Sequence, residues 1–408
     1  MEGHNSTMPD LGKPQSAARS WFEPLLVVSI MIASLYFNRD RSFSIFPSRD
    51  LRSDDASESL IKSNEYEGSR SSSRSTSPDR PKDSVDIQRD VSPAPWSSES
   101  SSPTSMNFPS RILQKFPFLV EMFYWALNYV AYAFTKQIGI ALYSRMGGNE
   151  VAELAQKHGI DILTFEHDTP FQIFFPITEV GFQQFFLNGH LKMMTFFNQI
   201  YSLVHIPGTI AFLSWYYYSA PSHDLFAIAR RTMTLGNFSA FIVFSFWPCM
   251  PPRLLPKSFG FRDTVRQDNA ESVWVGGANV NQLAAMPSLH FTYAFIIGCT
   301  FLFQSGILQA IRGRRAPKSA IKSFIYIVAG VLYPLLVLSV IVATANHYWA
   351  DAVAATFSVL VCFFVNRVWL VLLPVERLFC RIVRLRKPTP TTAKSKMAER
   401  PRIVVDLA

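Results

Sequence analysis

Residues 323–345 read SFIYIVAGVLYPLLVLSVIVATA, and residues 346–351 continue as NHYWAD. The first stretch carries no charged side chain and is near the ~20 residues that a transmembrane helix needs. A helix is the default because backbone groups in hydrocarbon must pair within their own segment. The stretch therefore predicts a membrane-spanning helix, followed at once by two ionisable side chains, His347 and Asp351.

Other apolar segments have similar lengths. They are residues 117–143, 196–219, 233–250, 287–308 and 348–373. We expect an all-α fold, a polytopic integral membrane helical bundle with about six core spanning helices, because each segment approaches the ~20 residues that cross a bilayer. Residues 171–190 are aromatic but contain Pro176, Glu179 and paired glutamines, which favours an interfacial helix.

The composition also favours a membrane protein. The 408 residues are 49% hydrophobic and include 35 phenylalanines, too many to spread over a soluble surface. The net charge of +9 is compatible with nucleic-acid binding, but Lys and Arg cluster beside apolar runs, as in membrane proteins with basic cytoplasmic loops. We expect the lipid bilayer as a partner and no nucleic acid. The four cysteines show no CxxC spacing and give no indication of a metal.

The sequence divides into four parts. Residues 1–45 contain an apolar run, 21–37, that predicts a signal-anchor helix; a cleaved signal peptide is the alternative. Residues 46–110 are rich in Ser and Pro and predict a disordered cytoplasmic region, because so few apolar residues cannot offset chain entropy. Residues 111–375 form the predicted membrane domain, and residues 376–408 a basic cytoplasmic tail.

Basic residues predict the orientation in the membrane. Short loops rich in Lys and Arg stay cytoplasmic. The basic residues between the apolar segments are Arg230, Arg231, Arg312, Arg314, Arg315, Lys318 and Lys322, and further arginines follow residue 373. The opposite, lumenal or extracellular, face then carries Arg253, His290 and His347, in an endomembrane (ER or Golgi) or the plasma membrane. Residues 1–20 would share that face, where Asn5-Ser6-Thr7 is a glycosylation sequon.

The first chemical motif is the proline-rich segment 247–256. Its prolines end the preceding helix and stiffen the chain around Arg253. The forked guanidinium of arginine suits phosphate oxygens. An interfacial or loop-stabilising role for Arg253 is the alternative.

The second motif is Met286-Pro287-Ser288-Leu289-His290. Proline fits the first turn of a helix, so Ser288 and His290 are expected in that turn. Free N–H groups and the positive end of the dipole attract an anion such as phosphate there, and His290 is placed to give a proton to a leaving oxygen. A capping serine beside a buried histidine is the alternative.

The third motif pairs His347 with Asp351. Residues four apart share a helix face. A carboxylate bonded to one ring nitrogen fixes the tautomer and makes the other nitrogen more nucleophilic. The alternative is a His–Asp pair that bridges helices within the bundle. His205, inside segment 196–219, either lines a substrate cavity or packs there.

Together, these motifs resemble those of the type 2 phosphatidic acid phosphatase superfamily over residues 165–373. The residues of the three motifs are most similar to those of the inositolphosphotransferase branch, which contains inositol phosphorylceramide synthases. The resemblance implies a phosphohistidine intermediate, with His347 as nucleophile, Asp351 as its orienting group, His290 as general acid and Arg253 on the phosphate. It implies no cofactor and no metal.

Two departures concern cations. Where the superfamily has an Arg six residues before the nucleophilic histidine, this chain has Ile341, and an upstream Lys is missing. Candidates to replace them are Lys257, Arg262 and Arg266. The expected activity is that of a membrane lipid phosphatase or phosphotransferase, with an inositol phosphorylceramide synthase-type headgroup transferase as one alternative. A catalytically inactive membrane scaffold or lipid transport protein is the alternative of another class.

Overall fold

The computed structural model describes residues 22–46, 106–143, 148–168, 170–264, 282–313, 319–389 and 392. Every regular element in these ranges is helical, which confirms the predicted all-α class. The predicted sequon at residues 5–7, Arg266, and most of the Ser-rich region 46–110 lie outside them. The end of that region, from Phe108, already forms a helix.

Thirteen α-helices are numbered here in chain order within the described ranges. They are α1 (Phe22–Phe37), α2 (Phe108–Lys115), α3 (Phe118–Leu142), α4 (Gly148–His167), α5 (Glu179–Leu187), α6 (Leu191–Gln199), α7 (His205–Ser219), α8 (His223–Phe246), α9 (Leu289–Ser305), α10 (Ile307–Ile311), α11 (Ala320–Ala343), α12 (Trp349–Val365) and α13 (Leu373–Ile382). A π turn, Ile200–Val204, joins α6 to α7, and short 3-10 turns occupy Pro170–Phe174, Pro252–Leu254, Lys257–Phe259 and Asn366–Leu372.

Among the residues that the structure describes, two helical runs are long and apolar enough to cross a membrane. They are α11 and the continuous run Trp349–Ile382, which joins α12 to α13. The shorter apolar helices are Pro24–Phe37, at the predicted signal anchor, and α9. Length and composition thus support membrane association. The number of about six spans, the bundle within a bilayer and the anchor role of α1 stay predictions.

Several predicted segments differ from the structure in their ends. Segment 171–190, predicted as one interfacial helix, contains a 3-10 turn and then α5, because the side chain of Thr178 caps a new helix at Glu179. The short loop expected around Arg230 and Arg231 is instead helical from His223. Arg230 therefore lies inside α8, where it donates to the buried Glu121 of α3 at 2.6 Å.

The close packing of α9 against α11 sets the position of two motifs. A Cβ added to Gly298 would lie 2.4 Å from Cγ of Pro334 and 2.6 Å from the carbonyl oxygen of Gly330, so the helix backbones nearly touch. Ser323 Oγ also donates to the carbonyl of Ser305 at 2.7 Å, so the two helices run antiparallel. The start of α9 and the end of α11 therefore lie at the same end of the molecule.

Candidate active site

Backbone hydrogen bonds join the three motifs. Cys249 N–H donates to Leu283 O at 2.8 Å, and Ala285 N–H donates to Cys249 O at 3.2 Å, which ties the proline-rich segment to the chain before His290. Arg253 N–H donates to Ala345 O at 2.8 Å, which ties it to the chain before His347. As a result, the ring centroids of His290 and His347 are 5.7 Å apart.

A tight helix end delivers His347 to this place. Asn346 N–H donates to Ile341 O and Ala345 N–H to Val342 O, the pair of bonds that defines a Schellman cap at the end of α11. Ala345 occupies the left-handed position of the cap, with φ of 53°, where glycine is the usual residue. The chain thereby reverses within a few residues and enters α12.

The ring of His347 is held by its Nδ1 atom. Nδ1 lies 2.7 Å from the carbonyl oxygen of Ala285 and 3.0 Å from Oδ2 of Asp351. A carbonyl oxygen only accepts, so Nδ1 carries the hydrogen and donates it. In the neutral ring the lone pair therefore resides on Nε2. Burial lowers the pKa of His347 to about 4, the bond to Ala285 opposes this, and the charge of Arg253 adds to it.

The His347–Asp351 contact is as predicted, but its cause is different. The sequence placed both residues on one face of a helix. In the structure α12 begins at Trp349, so His347 precedes the helix. Asp351 sits in the first turn, where its Oδ2 also accepts the N–H of Tyr348 at 3.0 Å. The carboxylate thus caps its own helix and reaches back to the imidazole.

His290 lies in the first turn of α9, as predicted. The helix begins at Leu289 and Ser288 is its cap, with Oγ accepting the N–H of Phe291 at 3.3 Å. Pro287 therefore precedes the cap, and the expectation that it opens the first turn is wrong; the side-chain cap fixes a later start. Ser288 is wholly buried, and its hydroxyl caps α9. A capping role was the alternative to phosphate binding in the sequence analysis.

Two aromatic rings from the π turn region contact His290. Tyr201 stacks on it with centroids 4.3 Å apart, and the ring of His205 lies at 4.7 Å. His205 is buried, and neither of its ring nitrogens has a hydrogen-bond partner among the described residues. Its ring packs against those of His290 and Tyr293.

The guanidinium of Arg253 is near His347 but already paired. Nη1 donates to Oδ2 of Asp263 at 3.0 Å and Nη2 to Oε1 of Gln282 at 2.7 Å. Its charge is close enough to lower the pKa of His347. Lys257 and Arg262 are exposed, and their role at a phosphate stays a prediction.

The geometry and the motifs agree with one comparison. Residues 165–365 match the family model of the PAP2 superfamily. Neither the curated proteins nor the solved structures include a match to this chain. The matched range contains all three motifs, so it supports the resemblance at the level of the superfamily and suggests a phosphatase or phosphotransferase type of enzyme. The inositolphosphotransferase branch stays a prediction.

Position 341 shows what replaces the arginine expected in the PAP2 superfamily. Ile341 is fully buried in an apolar cluster with Phe291 and Ala355. Its carbonyl accepts the N–H groups of Asn346 and His347. The position therefore shapes the helix end and supplies no charge to the site.

The structure also brings in acidic residues that sequence reasoning did not assign to the site. Glu166, at the end of α4, accepts the N–H of Ala350, and Oε1 of Glu179, at the start of α5, accepts that of Trp349 at 3.2 Å. Nε2 of His167 lies 2.7 Å from Oε2 of Glu179. Burial, and then the neighbouring Glu179, raise the pKa of Glu166 to about 10. In the sequence, Glu179 is recognisable as an acidic residue within the aromatic segment 171–190, which could have indicated a role in the site.

One atom from each of Glu166, His167 and Glu179 lies within 4.8 Å of the others, a spacing that suits a metal ion. Nε2 of His167 is, however, at hydrogen-bonding distance from Glu179, and an oxygen of each carboxylate accepts a backbone N–H. Hydrogen bonds therefore account for most of these contacts.

Proposed function

We propose that this chain is a membrane lipid phosphatase or phosphotransferase that acts through a phosphohistidine on His347. One observation carries the proposal: Nδ1 of His347 is committed to Ala285 and Asp351, which leaves the lone pair of Nε2 for the attack, and the ring of His290 lies 5.7 Å away between centroids. The match of residues 165–365 to the PAP2 superfamily supports the same chemistry.

The reaction has two steps. Nε2 of His347 attacks phosphorus, the bond from phosphorus to the leaving oxygen breaks, and His290 gives its proton to that oxygen. Water or another alcohol then gives its proton to His290 and attacks the phosphohistidine, which releases the phosphoryl group and restores both histidines. The ring centroids lie 5.7 Å apart, so both imidazoles are close enough to act on one phosphate bound beside them, His347 as nucleophile and His290 as acid.

Phosphoryl transfer needs stabilisation of charge on the equatorial oxygens. Arg253 is the proposed donor, and a bound phosphate would compete with Asp263 for its Nη1. The N-terminus of α9, capped by Ser288, contributes its dipole. Lys257 is proposed as an additional cation that approaches when substrate binds. The proposed reaction uses no metal and no cofactor.

The acceptor decides between two activities. Water gives a lipid phosphatase; a ceramide hydroxyl with a phosphatidylinositol donor gives an inositol phosphorylceramide synthase. The spelling Met286-Pro287-Ser288-Leu289-His290 favours the second by resemblance to that branch. The active site is proposed to face the lumen or the cell exterior, because the basic segments favour the cytoplasm.

A panel assay tests the function. Purified protein is incubated with lipid phosphates, and separately with phosphatidylinositol and labelled ceramide. We expect phosphate release or a phosphoinositol product, acid-labile phosphate trapped on the protein, and loss of all three in His347→Ala. An equally stable His347→Ala protein with full turnover would refute the assignment. A wild-type protein that never becomes phosphorylated on the panel would favour the scaffold or transport alternative.

A further inference from the structure

The backbone directly after His347 is held by carboxylates from three places in the chain. The N–H groups of Tyr348, Trp349 and Ala350 are consecutive, and they donate to Asp351, Glu179 and Glu166, respectively. These groups open α12, where no backbone carbonyl of the helix is in place to accept from them. Asp351 belongs to α12 itself, whereas Glu166 and Glu179 come from α4 and α5, far away in sequence.

Both distant carboxylates are wholly buried. Burying a carboxylate is costly unless it gains hydrogen bonds. Glu179 recovers part of this cost from the N–H of Trp349 and from His167, and Glu166 from the N–H of Ala350. The positive end of the dipole of α12 favours acceptor oxygens at this helix end. Glu166 and Glu179 therefore both act as hydrogen-bond acceptors for the first turn of α12.

That helix end also sets the direction of the His347 ring. Asp351 lies in the same turn, and its Oδ2 is one of the two acceptors for Nδ1. A shift of the turn moves Asp351 away from Nδ1, while the carbonyl of Ala285, on another segment, stays behind. Misplacement of a reacting group by about 1 Å can cost ~10²-fold in rate.

We propose that Glu166 and Glu179 are positioning residues that fix the first turn of α12 and thereby aim Nε2 of His347 at the phosphorus. The inference rests on the proposed function, since the group that is aimed is the proposed nucleophile. It assigns the pair a role as hydrogen-bond acceptors that does not require their negative charge.

Two substitutions at each position separate the roles. Glu→Gln keeps an acceptor oxygen at the same reach and removes the ionisable group; Glu→Asp keeps an ionisable group and withdraws the oxygen by one methylene. We expect Glu166→Gln and Glu179→Gln to keep kcat within about threefold, and Glu166→Asp and Glu179→Asp to lower kcat by about 10- to 100-fold with KM unchanged.

Glu121→Asp is the matched control. Glu121 of α3 is also buried and accepts from Arg230. Arg230 lies about 24 Å along α8 from Phe246, the end of that helix nearest the site. Glu121→Asp is expected to lower thermal stability without a selective loss of kcat. If the Asp variants at 166 and 179 behave like Glu121→Asp, the pair is structural only and the proposal is overturned. Gln variants as inactive as the Asp variants would overturn it in favour of a need for charge, as in cation binding.

A second readout does not depend on turnover. In ¹⁵N NMR of labelled histidine, His347 of the wild type is expected as the Nδ1–H tautomer. The Glu166→Asp and Glu179→Asp proteins should show that signal shifted toward a mixture of tautomers, and the Gln proteins should not. An unchanged signal in the Asp proteins contradicts the positioning role. If no lipid is turned over but the signal moves as expected, the proposed function fails and the positioning of His347 stands.

Discussion

At the scale of the residue, burial keeps the imidazole of His347 neutral near pH 7. Burial lowers its pKa to about 4, whereas a histidine in the unfolded chain titrates near 6.5. The unfolded chain therefore binds this proton more readily, so the contribution of His347 to stability falls as the pH drops from about 6.5 to about 4. Over the same range the folded protein keeps Nε2 available.

The pH dependence of phosphohistidine formation tests this state. The acid limb of the rate should have its midpoint nearer pH 4 than 6.5, because protonation of Nε2 removes the nucleophile. Since the charge of Arg253 lowers the pKa, Arg253→Gln should raise the midpoint by up to about one pH unit. Arg312→Gln, at an exposed side chain beyond the far end of α9, should leave it in place. A midpoint that is unchanged or lower in Arg253→Gln contradicts the assignment.

The spacing of His347 and Asp351 predicts their contact but not the local structure that produces it. The contact between His347 and Asp351 was predictable from four residues of separation, yet the helix that was meant to produce it starts after His347. The contact arises because a capping carboxylate turns back toward the residue before the helix. A pattern of letters does not distinguish these two local structures, since both place the residues within reach.

At the scale of the element, glycine decides how closely α9 and α11 approach. Gly298 faces Pro334 and the carbonyl of Gly330, and Gly330 faces the carbonyl of Gly298 at 2.9 Å from an added Cβ. Neither backbone can yield without separating the helices. The long apolar segments 287–308 and 323–345 were predictable from composition, but this register was not, because it depends on which residues face each other.

A pair of Gly→Ala substitutions measures this packing. Gly298→Ala should lower the melting temperature and the activity together, because its Cβ would lie 2.4 Å from a proline ring and 2.6 Å from backbone. Gly208→Ala, in α7, meets nothing within 4 Å. It should raise stability by about 0.5–1 kcal/mol, the usual gain of alanine over glycine within a helix. Equal melting temperatures for the two variants would show that the helices do not pack as described.

At the scale of the whole molecule, the site is assembled from segments that are far apart in the chain. The three motifs could be found in the sequence because each places an arginine or a histidine at the end of an apolar segment. Glu166 and Glu179 could not, because nothing local indicates that the end of α4 and the start of α5 meet the first turn of α12. Their part in the site follows only from the tertiary arrangement of the described residues.

The arrangement predicts which side of a membrane each end of the molecule faces. The run Trp349–Ile382 starts next to His347 and extends over 34 residues. At 1.5 Å per residue this is about 50 Å, longer than the ~30 Å of hydrocarbon in a bilayer. The chain after α13 should therefore emerge on the side opposite the active site, where its arginines favour the cytoplasm.

Labelling with a membrane-impermeant maleimide tests this orientation in sealed vesicles. Lys257→Cys and Arg386→Cys both replace exposed side chains, and Cys299 and Cys380 are first changed to Ser because they are not buried. In right-side-out vesicles Lys257→Cys should react before permeabilisation and Arg386→Cys only afterwards; inverted vesicles should reverse the order. Since Lys257 lies four residues from Arg253 and Arg386 lies beyond the long helical run, labelling of both from one side would mean that the run does not cross the bilayer. In that case His347 and the basic tail would share a compartment, and the proposed lumenal or extracellular active site would be wrong even if the phosphohistidine chemistry is right.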